Sequence, residues 1–369
     1  MTTDLGGLRP CRTDVSQAAR TSLNTPSRLD ANGLLEAALA EGLCAPSSAL
    51  SGCPCLLVDL GPDTSLRPFE RQALVRWLER QACPVLGIAA DDLGHPLACA
   101  CDAVVARVED ADELISNIQA APLAALVLVQ LLRATEGLDV SRALVFESLA
   151  YATLQAGAEF RGWLSQAPPS PTGAATACGA PLLLEREGSH LRLRLNRPAK
   201  RNALSVEMRD ALVEALELVA ADSSIVAVTI SGEGRCFSAG GDLTEFGSAP
   251  DPAVAHAVRA SRSVPGMLAR CAARLTFRVH GAAVGAGVEM AAFGARVEAT
   301  ADAFFQLPEI RYGLIPGCGG CVSIPRRIGR LRTGYLALSA RRLDARTAQA
   351  WGLVDALTES KPQTMVVPA

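Results

Sequence analysis

Apolar positions along this chain recur with two periods. Between His190 and Leu195 they alternate: Leu191, Leu193 and Leu195 on one side, His190, Arg192 and Arg194 on the other, the pattern of a half-buried strand. Just beyond, Met208, Leu212, Leu216 and Val219 recur at helical spacing and predict a helix up to Ala220. Ser205 is placed to cap it, with Glu207 in its first turn. Ile225–Ile230 and Leu275–Val279 read as buried strands, and Leu331–Ser339 and Ala345–Trp351 as helices. Closer to the N-terminus, Cys55–Leu60, Pro84–Ala89 and the stretch within Ala98–Arg107 read as strands. Arg67–Gln81, with Leu74, Trp77 and Leu78 on one face, reads as a helix, as do Ala121–Arg133, Ser141–Ser148 and Ala150–Trp163. Strands alternating with helices predict parallel βαβ units and an α/β fold.

The pattern lapses twice. Residues 1–52 are rich in Ser, Thr, Pro, Ala and Gly and read as a largely irregular arm with one helix near 34–39. Residues 166–180, QAPPSPTGAATACGA, have no periodicity and read as a linker. The expected division is therefore an arm (1–52), a first α/β segment (53–165), the linker (166–180) and a second α/β segment (181–369).

Composition narrows the class. The 369 residues are 49% hydrophobic and 20% charged, enough for a sizeable core, with a net charge of −3 and no basic run, so a nucleic-acid partner is not expected. No apolar run is long enough to span a bilayer. The N-terminal MTTDLGGLRPCRTD lacks an apolar signal region, so the twelve cysteines are expected as reduced thiols in a cytoplasmic protein. Cys318-Gly-Gly-Cys321 is a lone CxxC without a second pair, so no metal is expected.

The chemistry concentrates between His280 and Gly320. The small-residue turn Gly281–Gly287 opens into an apolar run carrying Glu289. Twenty residues later Leu307-Pro-Glu-Ile310 presents a second carboxylate, Glu309, ahead of Gly317-Cys-Gly-Gly320. A carboxylate in apolar surroundings costs free energy unless it is paired or used. Glycines let a backbone N–H approach a ligand.

Four blocks, in order, resemble the crotonase superfamily, the enoyl-CoA hydratase/isomerase proteins: Leu195-Asn-Arg-Pro-Ala-Lys-Arg-Asn-Ala-Leu-Ser205, Phe237-Ser-Ala-Gly-Gly-Asp-Leu243, His280-Gly-Ala-Ala-Val-Gly-Ala-Gly-Val-Glu289 and Leu307–Gly320. The resemblance spans about residues 183–357 and implies a spiral ββα-superhelix core acting on acyl thioesters. It implies an oxyanion hole from the N–H groups of Gly241 and Ala286, where the family commonly has glycine at the second position. Coenzyme A would run beside Gly241, Asp242, Leu243 and Thr244, its adenine end near Ala199–Ala203, Ser238 and Ala239, with Lys200 and Arg201 available to its phosphates. Glu289 would deprotonate water for attack at C3, and Glu309 would deliver a proton to C2. Hydratases of the superfamily keep both glutamates; isomerases typically keep only the Glu309 position. The implied function is enoyl-CoA hydration, the thioester of coenzyme A or a pantetheine carrier being the substrate and no cofactor being needed. The rivals are a double-bond isomerase and a non-catalytic thioester-binding scaffold.

By the same resemblance, residues 53–165 read as a degenerate crotonase-like half, non-catalytic, with its glycine turn shortened to Ala90-Asp-Asp-Leu-Gly-His95. Family members usually continue past Gly352-Leu-Val-Asp355 into helices that cover the site and join subunits into trimers, so a homo-oligomer is implied. Here Pro362 and Pro368 argue against such a helix. The expectation is that helices 121–133 and 150–163 provide the cover, within the chain or across a subunit interface.

Overall fold

The alternating stretch at 190–195 lies one strand in from the edge of a six-stranded sheet, every predicted inward leucine of which is buried. A computed structural model describes residues 26, 28–40, 48–50, 53–61, 66–89, 95–166 and 179–359 of the chain. Most of the predicted arm, the turn Ala90–Gly94, linker residues 167–178 and residues 360–369 lie outside these.

The first part runs β1 (Arg28–Leu29), α1 (Ala31–Ala40), β2 (Leu56–Asp59), α2 (Pro68–Glu79), β3 (Val85–Ile88) and β4 (Ala103–Val105). Its four strands form a parallel sheet in sequence order. Four helices follow: α3 (Asp112–Ala120), α4 (Pro122–Thr135), α5 (Val140–Gln155) and α6 (Ala158–Gln166). The sequence reading broke the last two at residue 149. The chain instead stays helical through Leu149–Ala150, where nothing interrupts the backbone ladder. It turns at Gly157, whose N–H donates to Leu154 O at 2.8 Å and where a Cβ would lie 2.9 Å from that oxygen. Among the described residues no single helix is long and apolar enough to cross a membrane.

The second part runs β5 (Leu182–Glu187), β6 (His190–Leu195), α7 (Val206–Ala221), β7 (Ala227–Gly232), α8 (Pro252–Ser261), α9 (Val264–Cys271), β8 (Leu275–Val279), β9 (Ala282–Val284), α10 (Ala286–Ala291), β10 (Arg296–Thr300), β11 (Phe304–Gln306), α11 (Gly320–Ile328), α12 (Arg330–Ser339), β12 (Leu343–Asp344), α13 (Ala345–Trp351) and β13 (Ala356–Thr358). One sheet has the order β13-β10-β8-β7-β6-β5, antiparallel only at β5–β6; a small sheet β12-β11-β9 turns away from it. This is the mixed α/β spiral of a crotonase fold. Helix α7 begins as expected: Ser205 Oγ accepts from Met208 N at 3.3 Å, and Met208, Leu212, Leu216 and Val219 are all buried.

The helices of the first part pack on the second. α4 and α5 lie against α11, α3 and α4 against α12, and α5 against α8 and α9. Leu128, Leu131 and Leu132 of α4 share one continuous apolar core with Ile324 and Leu336. Asn117 donates to the carbonyls of Leu338 and Ser339, both at 2.9 Å. On α6, Trp163 sits 4.8 Å, ring to ring, from Tyr312. The two helices expected to provide cover thus pack on the second part within a single chain.

Asp102 fastens the junction. It is 1% exposed and accepts from Val85 N at 2.7 Å and from Arg133 Nε at 2.8 Å. Arg330 Nη1 lies 3.5 Å away while donating to Cys101 O at 2.7 Å. Asp102→Ala leaves two guanidinium groups half-stranded in the interior. It is expected to lower unfolding free energy by about 3–5 kcal/mol, measured as a shift in the urea midpoint. A loss under about 1 kcal/mol, the range of an exposed pair, would contradict this role.

Candidate active site

Two loops meet where Glu289 and Glu309 converge. After β7 the chain turns through 233–241, and Ser238 bridges to β9: Ser238 N donates to Ala282 O at 3.0 Å and Val284 N to Ser238 O at 3.0 Å. The approach is so close that Gly240, at φ +93°, would put a Cβ 2.8 Å from Val284 O. Gly285, at φ +49°, lies against Glu309; a Cβ there would sit 2.5 Å from Glu309 Oε1. The positive dihedral therefore falls on Gly285, and Ala286 begins helix α10 in ordinary right-handed geometry. An alanine at 286 costs nothing in backbone strain. The N–H groups of Gly241 and Ala286 have no hydrogen-bond acceptor among the described residues.

These two residues line a cavity of about 520 Å³ together with Glu289 and Glu309. Glu289 is 2% exposed, and its Oε2 accepts from Cys318 N at 2.6 Å and Gly320 N at 2.9 Å. Burial pushes its carboxyl up to about 7, the two N–H groups pulling the other way. Burial, and then the charge of Glu289, hold Glu309 well above the usual carboxylate range. Glu309 Oε2 is buried without a partner among the described residues. The site thus holds one carboxyl fixed by donors and one poised to keep its proton.

Of the residues the resemblance assigned to coenzyme A, Gly241 and Asp242 line the cavity. Ala199, Lys200, Arg201, Ala203, Ser238, Ala239, Leu243 and Thr244 are outside its lining. Several of these hold the loops together. Ser238 Oγ donates to Asn202 O at 2.8 Å and accepts from Gly240 N at 3.2 Å. Ala239 N donates to Arg201 O at 2.9 Å, and Leu204 N to Gly240 O at 2.7 Å. Ala199, Arg201, Leu243 and Thr244 are exposed, and Lys200 is half-buried. Asp242 is structural in its contacts: Arg197 Nη2 lies 2.9 Å away and Thr244 donates N–H and O–H to it at 3.1 and 2.6 Å. Burial raises its carboxyl, but the bonds from Thr244 and Arg197 outweigh this and hold it below the usual range. His280 is 2% exposed, its Nε2 3.0 Å from Gly234 O.

Among the residues that reach the cavity from outside the motif-bearing segments are Glu147 and Tyr151 of α5, and Arg259 of α8. Glu147 is 2% exposed, accepting from Gly319 N at 2.6 Å and Cys321 N at 2.9 Å. Tyr151 lies against Gly317, where a Cβ would come 2.4 Å from the ring, and burial raises its phenol. Arg259 sits 4.9 Å above the Tyr151 ring and donates to Ser148 Oγ at 2.9 Å and Gln155 Oε1 at 3.1 Å. Cys318 and Cys321 are held as neutral thiols, first by burial and then by the carboxylates around them.

This arrangement has relatives. The Enoyl-CoA hydratase/isomerase family model matches residues 185–365. The chain is 39% identical over 176 residues to a 2,3-dehydroadipyl-CoA hydratase of Escherichia coli (strain K12), a match covering 47% of this chain and 67% of that protein. It is 35% identical over 178 residues to a 1,2-epoxyphenylacetyl-CoA isomerase of the same organism, covering 47% and 68%. It is 33% identical over 188 residues to a probable enoyl-CoA hydratase of Mycobacterium bovis (strain ATCC BAA-935 / AF2122/97), covering 49% and 72%. All three matches cover about half of this chain. With its paired loops and its two glutamates in one cavity, the chain belongs to the enoyl-CoA hydratase/isomerase family of the crotonase superfamily.

Proposed function

We propose that this protein adds water reversibly across the 2,3-double bond of an enoyl thioester of coenzyme A. The observation that carries the reading is the unequal pair of carboxyl groups on one cavity: Glu289 restrained by two N–H donors, Glu309 with an unpartnered buried oxygen. In the reaction Glu289 takes a proton from water as its oxygen bonds to C3, and Glu309 gives a proton to C2. The thioester oxygen gains charge in between, and the free N–H groups of Gly241 and Ala286 are the donors for it. No electrons are exchanged with an acceptor, so hydration requires no redox partner. The relatives' names, a hydratase of an unsaturated acyl-CoA among them, support the same substrate class.

The isomerase reading rests on the free Glu309 oxygen alone, since moving a double bond needs one carboxyl to shuttle one proton. Incubation with crotonyl-CoA distinguishes the outcomes. Loss of enoyl absorbance with formation of 3-hydroxybutyryl-CoA is the expected result. If the thioester binds and its absorbance stays constant over hours, the hydratase reading fails. Conversion of a 3-enoyl-CoA to a 2-enoyl-CoA that then persists would favour the isomerase.

A further inference from the structure

Helix α11 starts at Gly320, and the N–H groups around its start have no acceptor inside the helix. Four consecutive ones are divided alternately between two buried carboxyl groups: those of Cys318 and Gly320 go to Glu289, those of Gly319 and Cys321 to Glu147. The turn is thus clasped from both sides, by α10 within the family-matching segment and by α5 outside it. We propose that Glu147 is a positioning residue for Glu289, so that helix α5 of the N-terminal part fixes the carboxyl that activates water. The proposal rests on the hydratase reading for its kinetic consequence, but not for its structural one.

Position and charge are linked here. Facing Glu147 are Glu289 from α10, Arg259 from α8, Tyr151 on its own helix, Glu309, and the thiols of Cys318 and Cys321; His256 Nδ1 lies one step further out, 2.9 Å from Ser148 Oγ. Arg259 is the cation acting on Glu147. Glu147 and Glu289 share one positive helix end, so they titrate as a pair. Burial and the charge of Glu289 raise Glu147 well above the usual carboxylate range, whereas Glu289 lies near 7, so Glu289 ionises first, beside a neutral Glu147. Glu147 therefore acts on Glu289 through the turn and not through its charge. A turn no longer held by Glu147 presents Cys318 N and Gly320 N less well to Glu289, and these are the groups that pull its carboxyl down, so Glu289 must then ionise at higher pH.

The test is E147Q, which keeps the volume and one acceptor oxygen, and E147D, which keeps the carboxyl but shortens its reach to the N–H groups of Gly319 and Cys321. Carboxyl ionisation is followed without substrate by infrared difference spectroscopy across pH, the Glu289 band being assigned with E289Q. Kinetics with crotonyl-CoA run in parallel. For E147Q the Glu289 midpoint should rise from near 7 by about one unit, with a fall in kcat of about tenfold and a KM within about twofold. For E147D it should rise in the same direction by less. A purely structural Glu147 would lower thermal stability and leave the midpoint where it is. An unmoved midpoint in folded E147Q overturns the proposal, and if E147Q does not fold, an unmoved midpoint in E147D does so. If the wild type fails to hydrate crotonyl-CoA, the functional reading falls, while the infrared titration still decides the role of Glu147.

Discussion

Glu289→Gln and Glu309→Gln should each lower kcat at least about a hundredfold, the usual loss on removing a general acid or base, with little change in affinity for a CoA ester. The two substitutions should differ in their pH profiles. Glu289 must be ionised to accept a proton from water, so activity rises with pH through its value of about 7. Glu309 must carry a proton to donate, and burial together with the charge of Glu289 raises its carboxyl. Activity therefore falls at a higher pH, where Glu309 ionises. Residual activity of Glu289→Gln should lack the rising limb, and that of Glu309→Gln the falling one. The wild-type limbs belong to the coupled groups and not to either residue alone. Wild-type turnover in either variant would remove that carboxyl from the mechanism.

A chain starting at Ala180 should aggregate and show no turnover, although it retains the entire segment that matches the family. Starting there removes α4 and α5 from the faces of α11 and α12, uncovering apolar residues such as Ile324 and Leu336. Each fully buried side chain returned to water forfeits about 1.5–3 kcal/mol, and several are uncovered together. The site also loses Glu147 and Tyr151 from its wall. Light scattering and crotonyl-CoA turnover report on both losses. A soluble, active chain of this kind would show that the first 179 residues are an appendage.

What the sequence disclosed followed the regularity of its pattern. The alternation at 190–195 and the heptad-like row from Met208 to Val219 are local signals, and both became buried faces. The glutamates were legible because each sits among glycines within a recognisable block. Glu147 carried no such signal. It lies between Phe146 and Ser148 in α5, where Val145, Phe146 and Leu149 are about half exposed while the glutamate is buried, the reverse of an amphipathic helix. Its partners are 172 and 174 residues away, so no window along the chain contains both. Helices α8 and α9 were missed although capped by Asp251 and Ser263 with prolines in their first turns. Each is short, and cap signals are weak without a long apolar row behind them. The alanine at 286 was settled only by knowing that the turn places its unusual dihedral one residue earlier.

The order in which the ribosome releases this chain runs against the order in which its parts can be satisfied. Asn117 of α3 finds its acceptors 221 and 222 residues later, and Glu147 waits for a turn 172 residues downstream. At about 5–20 residues per second, roughly ten to forty seconds separate the synthesis of α3–α5 from that of α11 and α12. Throughout that interval the sides of α3–α5 that pack on α11 and α12 lack that native surface. Contacts so remote in sequence also make the final docking slow, because a long loop must close before any of them is gained. Crosslinking of ribosome-bound nascent chains should accordingly find chaperone contacts concentrated between residues 112 and 166, ending once residues near 340 have emerged.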